Sequence, residues 1–334
     1  MQIRRKSLIG ITMMLALILF LSVPKAYSKE FKVLVVMSYE QNYPWDLEIQ
    51  EGINAILAGV CQIDYFYLNT KTNWADGPKR AKEAFKLYQR LQPDGVIVAD
   101  DDGQAMLVVP YLKNKVKTPV IFCGVNAEPS AYGYPAANVT GVLEREPMKQ
   151  SLLLLRQLVP QVKSFGLITK ESPTAKAVEN QLNAEKDSYP IAYIGAKKAQ
   201  NLSDAIQVMK EFKTTCDALL YITMEGLPNN AGRPLTDAEV LPNLIKVFGK
   251  PVITNAMYRV KYGALSAVVK TGQEHGSMAG EMVLKAMRGT PVSQIPITQN
   301  RFGKRIINVD KMIEFDIKPK PMLIRSSTLV RTER

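Results

Sequence analysis

From residue 29 onward the chain alternates short, continuous apolar runs with amphipathic stretches, and that rhythm admits few folds. The runs cover 33–37, 63–68, 96–99 and 120–123 in the first half, then 165–169, 191–194, 218–223 and 252–254. They are apolar throughout rather than at alternate positions, as parallel strands covered by helices on both faces must be. Helical periodicity fills the gaps. Ala279, Val283 and Ala286 form one stripe at i, i+4 and i+7, ended by Gly289 and Pro291.

The two halves echo each other. Residues 94–100 (Asp-Gly-Val-Ile-Val-Ala-Asp) resemble 217–223 (Asp-Ala-Leu-Leu-Tyr-Ile-Thr), each as the third strand of its set. Residues 118–122 (Thr-Pro-Val-Ile-Phe) resemble 250–254 (Lys-Pro-Val-Ile-Thr) as the fourth. Two similar sets predict two doubly wound α/β lobes rather than one long sheet, and 334 residues are enough for both. Residues 138–144 (Asn-Val-Thr-Gly-Val-Leu-Glu) read as an extended crossover between the sets. After the second set come a strand in 262–269, a helix in 272–288, an extended stretch at 295–298 and a last strand at 305–309. Crossings near 143, 256 and 300 give two parallel-sheet lobes joined by three hinge crossovers. The first lobe is then 29–143 plus 256–300, and the second 144–255 plus 301–334.

The first 28 residues stand apart from this pattern. Arg4, Arg5 and Lys6 precede an apolar run over 8–21, too short to span a bilayer comfortably. Pro24 and Ala26-Tyr27-Ser28 complete the pattern of a secretory signal peptide, with cleavage expected after Ser28. The first cysteine is Cys61, so no lipid anchor is expected at the new terminus, and the protein is expected in the periplasm. The leader holds four of the 43 Lys and Arg, which leaves a net charge of +8. These charges are scattered, as along Lys79, Arg80, Lys82, Lys86 and Arg90, and no nucleic-acid module is visible. Cys61, Cys123 and Cys216 are odd in number and show no metal or redox spacing.

In open parallel sheets ligands bind beyond the carboxyl ends of the strands. In the first lobe those positions hold Ser38, Tyr39 and Trp45, then Asn69, Asp101 and Asn126. Glu144 lies on the first crossover. The second lobe offers Thr169, Thr223 and Glu225, then Asn255 and Met257. Hydroxyls, amides, carboxylates and aromatic rings together suit a small polar ligand with a flat or apolar part. One of the aspartates 100–102 reads as a helix N-cap, and His275 as a capping or surface residue. No Gly-x-Ser-x-Gly, Gly-x-Gly-x-x-Gly or phosphate-binding loop is present, and no catalytic constellation or cofactor site stands out.

These stretches resemble the substrate-binding proteins of ABC transporters, in the family that includes tryptophan- and tyrosine-binding proteins. The resemblance rests on 138–144 with 152–160 and 164–168, on 217–223 through 250–253 to 263–265, and on 276–289 with Ile295-Pro296. Ser38-Tyr39, Tyr43-Pro44-Trp45 and Glu51-Gly52-Ile53 are similar to a subgroup. It implies the type I periplasmic-binding-protein fold and a monomer that is not an enzyme. It further implies capture of a small ligand, an aromatic or other small amino acid, by hinge closure and delivery to an ABC permease. The alternative is a sensor that presents its closed form to a membrane signalling partner.

Overall fold

The computed structural model describes residues 30–333, so the expected signal peptide and its cleavage site lie outside the described residues. The chain begins with β1 (Phe31–Met37), α1 (Pro44–Leu57), β2 (Cys61–Tyr67), α2 (Gly77–Leu91) and β3 (Gly95–Ala99). A short α3 (Asp100–Gly103) runs on into a π-helical coil over Gln104–Leu112, followed by β4 (Val120–Val125) and β5 (Val139–Leu143). Next come α4 (Met148–Leu158), β6 (Ser164–Thr169), α5 (Pro173–Glu185), β7 (Ala192–Lys198), α6 (Leu202–Thr215) and β8 (Ala218–Tyr221). A small hairpin, β9 (Leu227–Pro228) and β10 (Pro234–Leu235), precedes α7 (Asp237–Phe248), β11 (Val252–Thr254), α8 (Met257–Lys261) and β12 (Ser266–Val269). The last elements are α9 (Gly272–Met287), β13 (Thr298–Gln299), β14 (Lys304–Asn308), α10 (Val309–Glu314), α11 (Pro321–Arg325) and β15 (Thr328–Val330).

Two sheets carry this chain. The first is parallel throughout, in the order β13-β5-β4-β3-β1-β2. The second runs β15-β14-β12-β11-β8-β6-β7, parallel from β12 to β7, with β14 antiparallel against β12. Apolar runs became strands because both faces are covered. In β1, Val33, Val35 and Met37 join Ile49, Ile53, Ala279 and Val283 on one face. Leu34 and Val36 join Ala81, Ala84 and Tyr88 on the other. Each such aliphatic side chain contributes about 1.5–3 kcal/mol when fully buried. No disulfide joins the three cysteines, which are buried.

Helices α1 and α9 pack backbone to backbone. A Cβ on Gly276 would lie 2.0 Å from the Ile49 carbonyl, and one on Gly52 2.1 Å from the Gln273 carbonyl. A Cβ on Gly272 would lie 2.8 Å from the Ile49 nitrogen and the Trp45 carbonyl oxygen. The helix after the second crossing is thereby fixed to the helix after β1.

The chain passes between the sheets at 144–147, 270–271 and 300–303. Two expectations change. Residues 139–143 are not a free crossover but strand β5, hydrogen-bonded to β4. The crossing expected near 256 lies near 270, because α8 and β12 stay with the second sheet, where β12 pairs with β11 and β14.

Candidate functional site

All three crossings leave from the carboxyl ends of β5, β12 and β13. The carboxyl edges of the two parallel arrays therefore flank the crossings, which puts the strand-end loops of both lobes along one cleft.

On the first lobe, strand order sets Glu144, Asp100 and Ser38 just after β5, β3 and β1, beside Gly124 at the end of β4. Ser38 is buried; its hydroxyl donates to the Ala99 carbonyl (2.7 Å) and accepts from the Gly103 N–H (2.9 Å). It ties β1 to α3. Asp101 accepts from the Asn126 and Ala127 amides (2.9 and 3.1 Å) and from the Tyr132 hydroxyl (2.8 Å), so it braces the loop after β4. Asn69 turns with φ 59°, and its carbonyl receives the Asn73 amide. Trp45 and Tyr39 are half-buried at this edge.

Behind those rings lies a polar group that strand-end reading did not single out. Asp100 is buried, takes φ 60°, and accepts the Trp45 indole N–H at 2.9 Å. Gly124, itself at φ 69°, makes room for it: a Cβ there would lie 2.8 Å from Asp100 Oδ1. Asp46, in the first turn of α1, is buried and accepts the Tyr39 amide at 3.2 Å. Asp100 Oδ2 and Asp46 Oδ1 have no hydrogen-bond partner. Burial pushes the Asp46 carboxyl up to about 7. Burial, then the Asp46 charge, raises Asp100 well above the carboxylate range.

His275 is buried rather than exposed, tilted against Trp45 with ring centroids 5.4 Å apart. Burial, with Lys270 adding to it, lowers its pKa to about 3, so the imidazole is neutral. The cap of α9 is Thr271, not His275.

On the second lobe the strand-end polar groups are drawn toward one buried carboxylate. Asp237 accepts from Tyr221 Oη (2.6 Å), the Met224 amide (2.8 Å), Thr223 Oγ1 (3.3 Å) and Arg259 Nε (2.7 Å). Arg259 also donates to Asn255 Oδ1 (2.7 Å). Glu225 caps α7 through the Asp237 amide (2.9 Å), while its carbonyl receives the Lys170 ammonium. Thr169 is buried beside the Thr223 carbonyl. Met257 and its neighbour Tyr258 are exposed.

The crossings form their own network. Lys270 Nζ lies 2.6 Å from Glu144 and 3.0 Å from Glu146, joining the second crossing to the first. Burial opposes that ammonium charge, but Glu146 and Glu144 outweigh it and hold the Lys270 pKa above its ordinary value. Asn300 Oδ1 accepts the Arg145 amide at 2.8 Å, joining the third crossing to the first. The Glu274 carboxylate accepts the amides of Arg301, Phe302 and Gly303, fixing the third crossing to α9. A cavity of about 760 Å³ opens beside this network, lined from both lobes by Asn126, Glu144, Glu146, Thr174, Gln181 and Lys270 among others. It unites Asn126 and Glu144 of the predicted set and leaves the other candidates along the two strand edges.

Comparison with known proteins agrees with this architecture. The family model described as "ABC transporter substrate binding protein" matches residues 47–330. A tyrosine-binding protein of Clostridioides difficile (strain R20291) is 24% identical over 187 residues, 55% of this chain and 51% of that protein. The chain thus spans about half the length of the curated relative it matches. A substrate binding protein with adhesive properties from Clostridium difficile, solved ligand-free and open, superposes with a TM-score of 0.64 at 17% identity, covering 91% of this chain and 100% of that one. An ABC domain from Streptococcus pneumonia in complex with L-Trp gives 0.48 at 19% identity, with 90% and 99% covered. With two parallel-sheet lobes of the type I periplasmic-binding kind and a family match over most of its length, the chain belongs to the ABC transporter substrate-binding protein family.

Proposed function

We propose that this protein captures a small amino acid, aromatic in character, between its lobes and delivers it to an ABC permease. Family membership makes it a ligand carrier and not an enzyme. The observation that carries the reading is the cavity walled by both lobes at the crossings. A ligand touching both walls stabilises the closed arrangement over the open one, which is how such a carrier reports occupancy to a membrane partner. Asn126 and Glu144, which line this cavity, are the contacts proposed for the ligand. Tyr39 and Trp45, half-buried at the strand ends of the first lobe and outside that lining, are proposed to stack on an aromatic ligand. The tyrosine-binding relative supports an aromatic ligand. Export belongs to the same reading, since a carrier of this kind works outside the inner membrane. No helix among the described residues is long and apolar enough to cross a membrane.

Mass spectrometry of protein taken from the host periplasm tests both halves. The chain should begin at Lys29, and denaturation should release a small amino acid. A chain that keeps residues 1–28, or a released sugar or other ligand without an amino acid core, overturns the corresponding half.

A further inference from the structure

The third crossing holds an aromatic ring out into solvent. Phe302 is 71% exposed, yet the backbone that carries it is fixed. Glu274 of α9 accepts its amide at 2.9 Å, together with the amides of Arg301 and Gly303. Gly303 turns at φ 71°, and a Cβ there would lie 2.6 Å from the Val269 carbonyl oxygen. The ring is thus presented on a rigid support rather than on a slack loop.

Two cavities meet at this ring. On the side of the first lobe, an apolar groove of about 450 Å³ runs along α9, lined by Met278, Met282, Ile295 and Pro296 as well as Phe302. Glu281 and Lys285 stand at i and i+4 on its rim, where their charges offset each other. On the side of the second lobe, a cavity of about 520 Å³ brings Phe302 together with Lys304, Arg305 and Arg325. Ser326, Ser327 and Thr328 add hydroxyls, and no carboxylate lines it. Arg305 donates to Ser326 Oγ at 3.3 Å, while the salt bridges of this segment go to Lys311, Lys318 and Arg331 instead. On α11, Met322 and Arg325 share the exposed face one turn apart, with Leu323 buried beneath them.

Single exposed apolar side chains are ordinary, but a cluster of them beside unpaired cations is not. Met322, Phe302 and Ile313 are the three most exposed large apolar side chains among the described residues, at 82%, 71% and 69%, and all lie within 302–322. Residues 301–334 also hold nine Lys and Arg against four Asp and Glu. This end of the chain therefore carries five of the eight net positive charges expected from residue 29 onward.

We propose that Phe302 joins the apolar groove and the cationic cavity into one site for an anionic phospholipid, through which the protein rests on a membrane surface. The cavity takes the phosphate: Arg305 and Arg325 supply planar guanidinium donors, Lys304 a point charge, and the three hydroxyls further donors. Phe302 and Met322 enter the zone between headgroups and acyl chains, where apolar tips above a cationic base are stable. The groove accepts the first carbons of a chain, since methionine side chains adapt to irregular apolar shapes. An acidic protein segment would satisfy the cations alone, whereas a lipid satisfies both halves. A carrier held there meets a membrane permease by diffusion in a plane.

Sedimentation of the chain from Lys29 onward with vesicles, in the absence of any amino acid, tests the site. Vesicles of equal parts phosphatidylglycerol and phosphatidylcholine should retain the protein about tenfold better than phosphatidylcholine alone, and added salt should weaken the retention. Because the whole chain is basic, the decisive comparison is between two double variants of equal charge. Lys304→Gln with Arg325→Gln should weaken binding about tenfold, while Lys79→Gln with Lys82→Gln, at exposed positions of α2, should bind like the parent. Phe302→Ser removes no charge and should also weaken binding about tenfold. All of these side chains are exposed, so melting temperatures should match the parent. The ligand cleft is untouched by every arm, and the carrier reading stands or falls separately. Equal retention on the two kinds of vesicle, equal losses in the two double variants, parental binding by Phe302→Ser, or no binding to anionic vesicles overturns the proposal.

Discussion

Asp237 shows how a single carboxylate can organise a strand edge. Its two oxygens gather a tyrosine hydroxyl, a threonine hydroxyl, a backbone amide and the Arg259 guanidinium, while side chain and arginine are both nearly closed to solvent. Removing one partner of a buried pair leaves the other charge uncompensated, at about 3–5 kcal/mol. Arg259→Met should therefore lower the urea midpoint of unfolding by an amount equal to about 3 kcal/mol. Glu314→Gln, which breaks an exposed pair with Lys311, should stay within about 1 kcal/mol. A midpoint unmoved in Arg259→Met would remove the pair from any structural role. The same scale explains what the sequence hid. Position after a strand brings a residue to the cleft edge, and that much was legible for Ser38, Asp101 and Glu225. Whether its side chain turns to the ligand depends on distant partners such as Ala99, Asn126 and the α7 amide, and no local pattern encodes those. Asp46 was passed over for the converse reason: it sits in a helix, where a first-turn aspartate reads as ordinary dipole complementation.

Between elements, the closest approach is that of α1 and α9. Gly272, Gly276 and Gly280 recur every four residues on α9, a spacing that lets two helix backbones meet. Gly276→Ala would drive a Cβ into the Ile49 carbonyl and should cost about 1–3 kcal/mol. Gly280→Ala meets only the Ile56 side chain at 3.1 Å and gains helix propensity, so its cost should be near zero. Chemical denaturation of the pair separates the two; equal effects would mean that the backbone contact does not limit the packing. Strands were the most legible elements because continuous burial writes itself as continuous apolarity. β5 escaped because Gly141 and Thr140 interrupt its apolar run; that glycine lets β5 lie against Phe122, where a Cβ would sit 2.2 Å from the carbonyl. β13 and β15 are two and three residues long, too short to show any period.

At the scale of the molecule, the echo between halves predicted two lobes, and the second crossing, expected near 256, follows β12 instead, since 262–269 could have joined either sheet on apolarity alone. Three crossings and a cavity walled from both sides predict motion. Solution scattering with saturating L-tyrosine should give a smaller radius of gyration than the empty protein, and an unchanged value at saturation would exclude closure. The bonds among the crossings bear on the character of that motion. Lys270 joins the first to the second, Asn300 the first to the third, and Glu274 the third to α9. Three separate linkers would let the lobes twist, shear and bend; laced together they are expected to move as one ribbon. The apparent dissociation constant is the intrinsic one divided by the fraction of molecules at the binding-competent angle. Asn300 and Glu274, which lace the ribbon from outside the cavity lining, thereby become a tuning dial for affinity, expected to tighten or weaken capture of every ligand by the same factor without touching any of them.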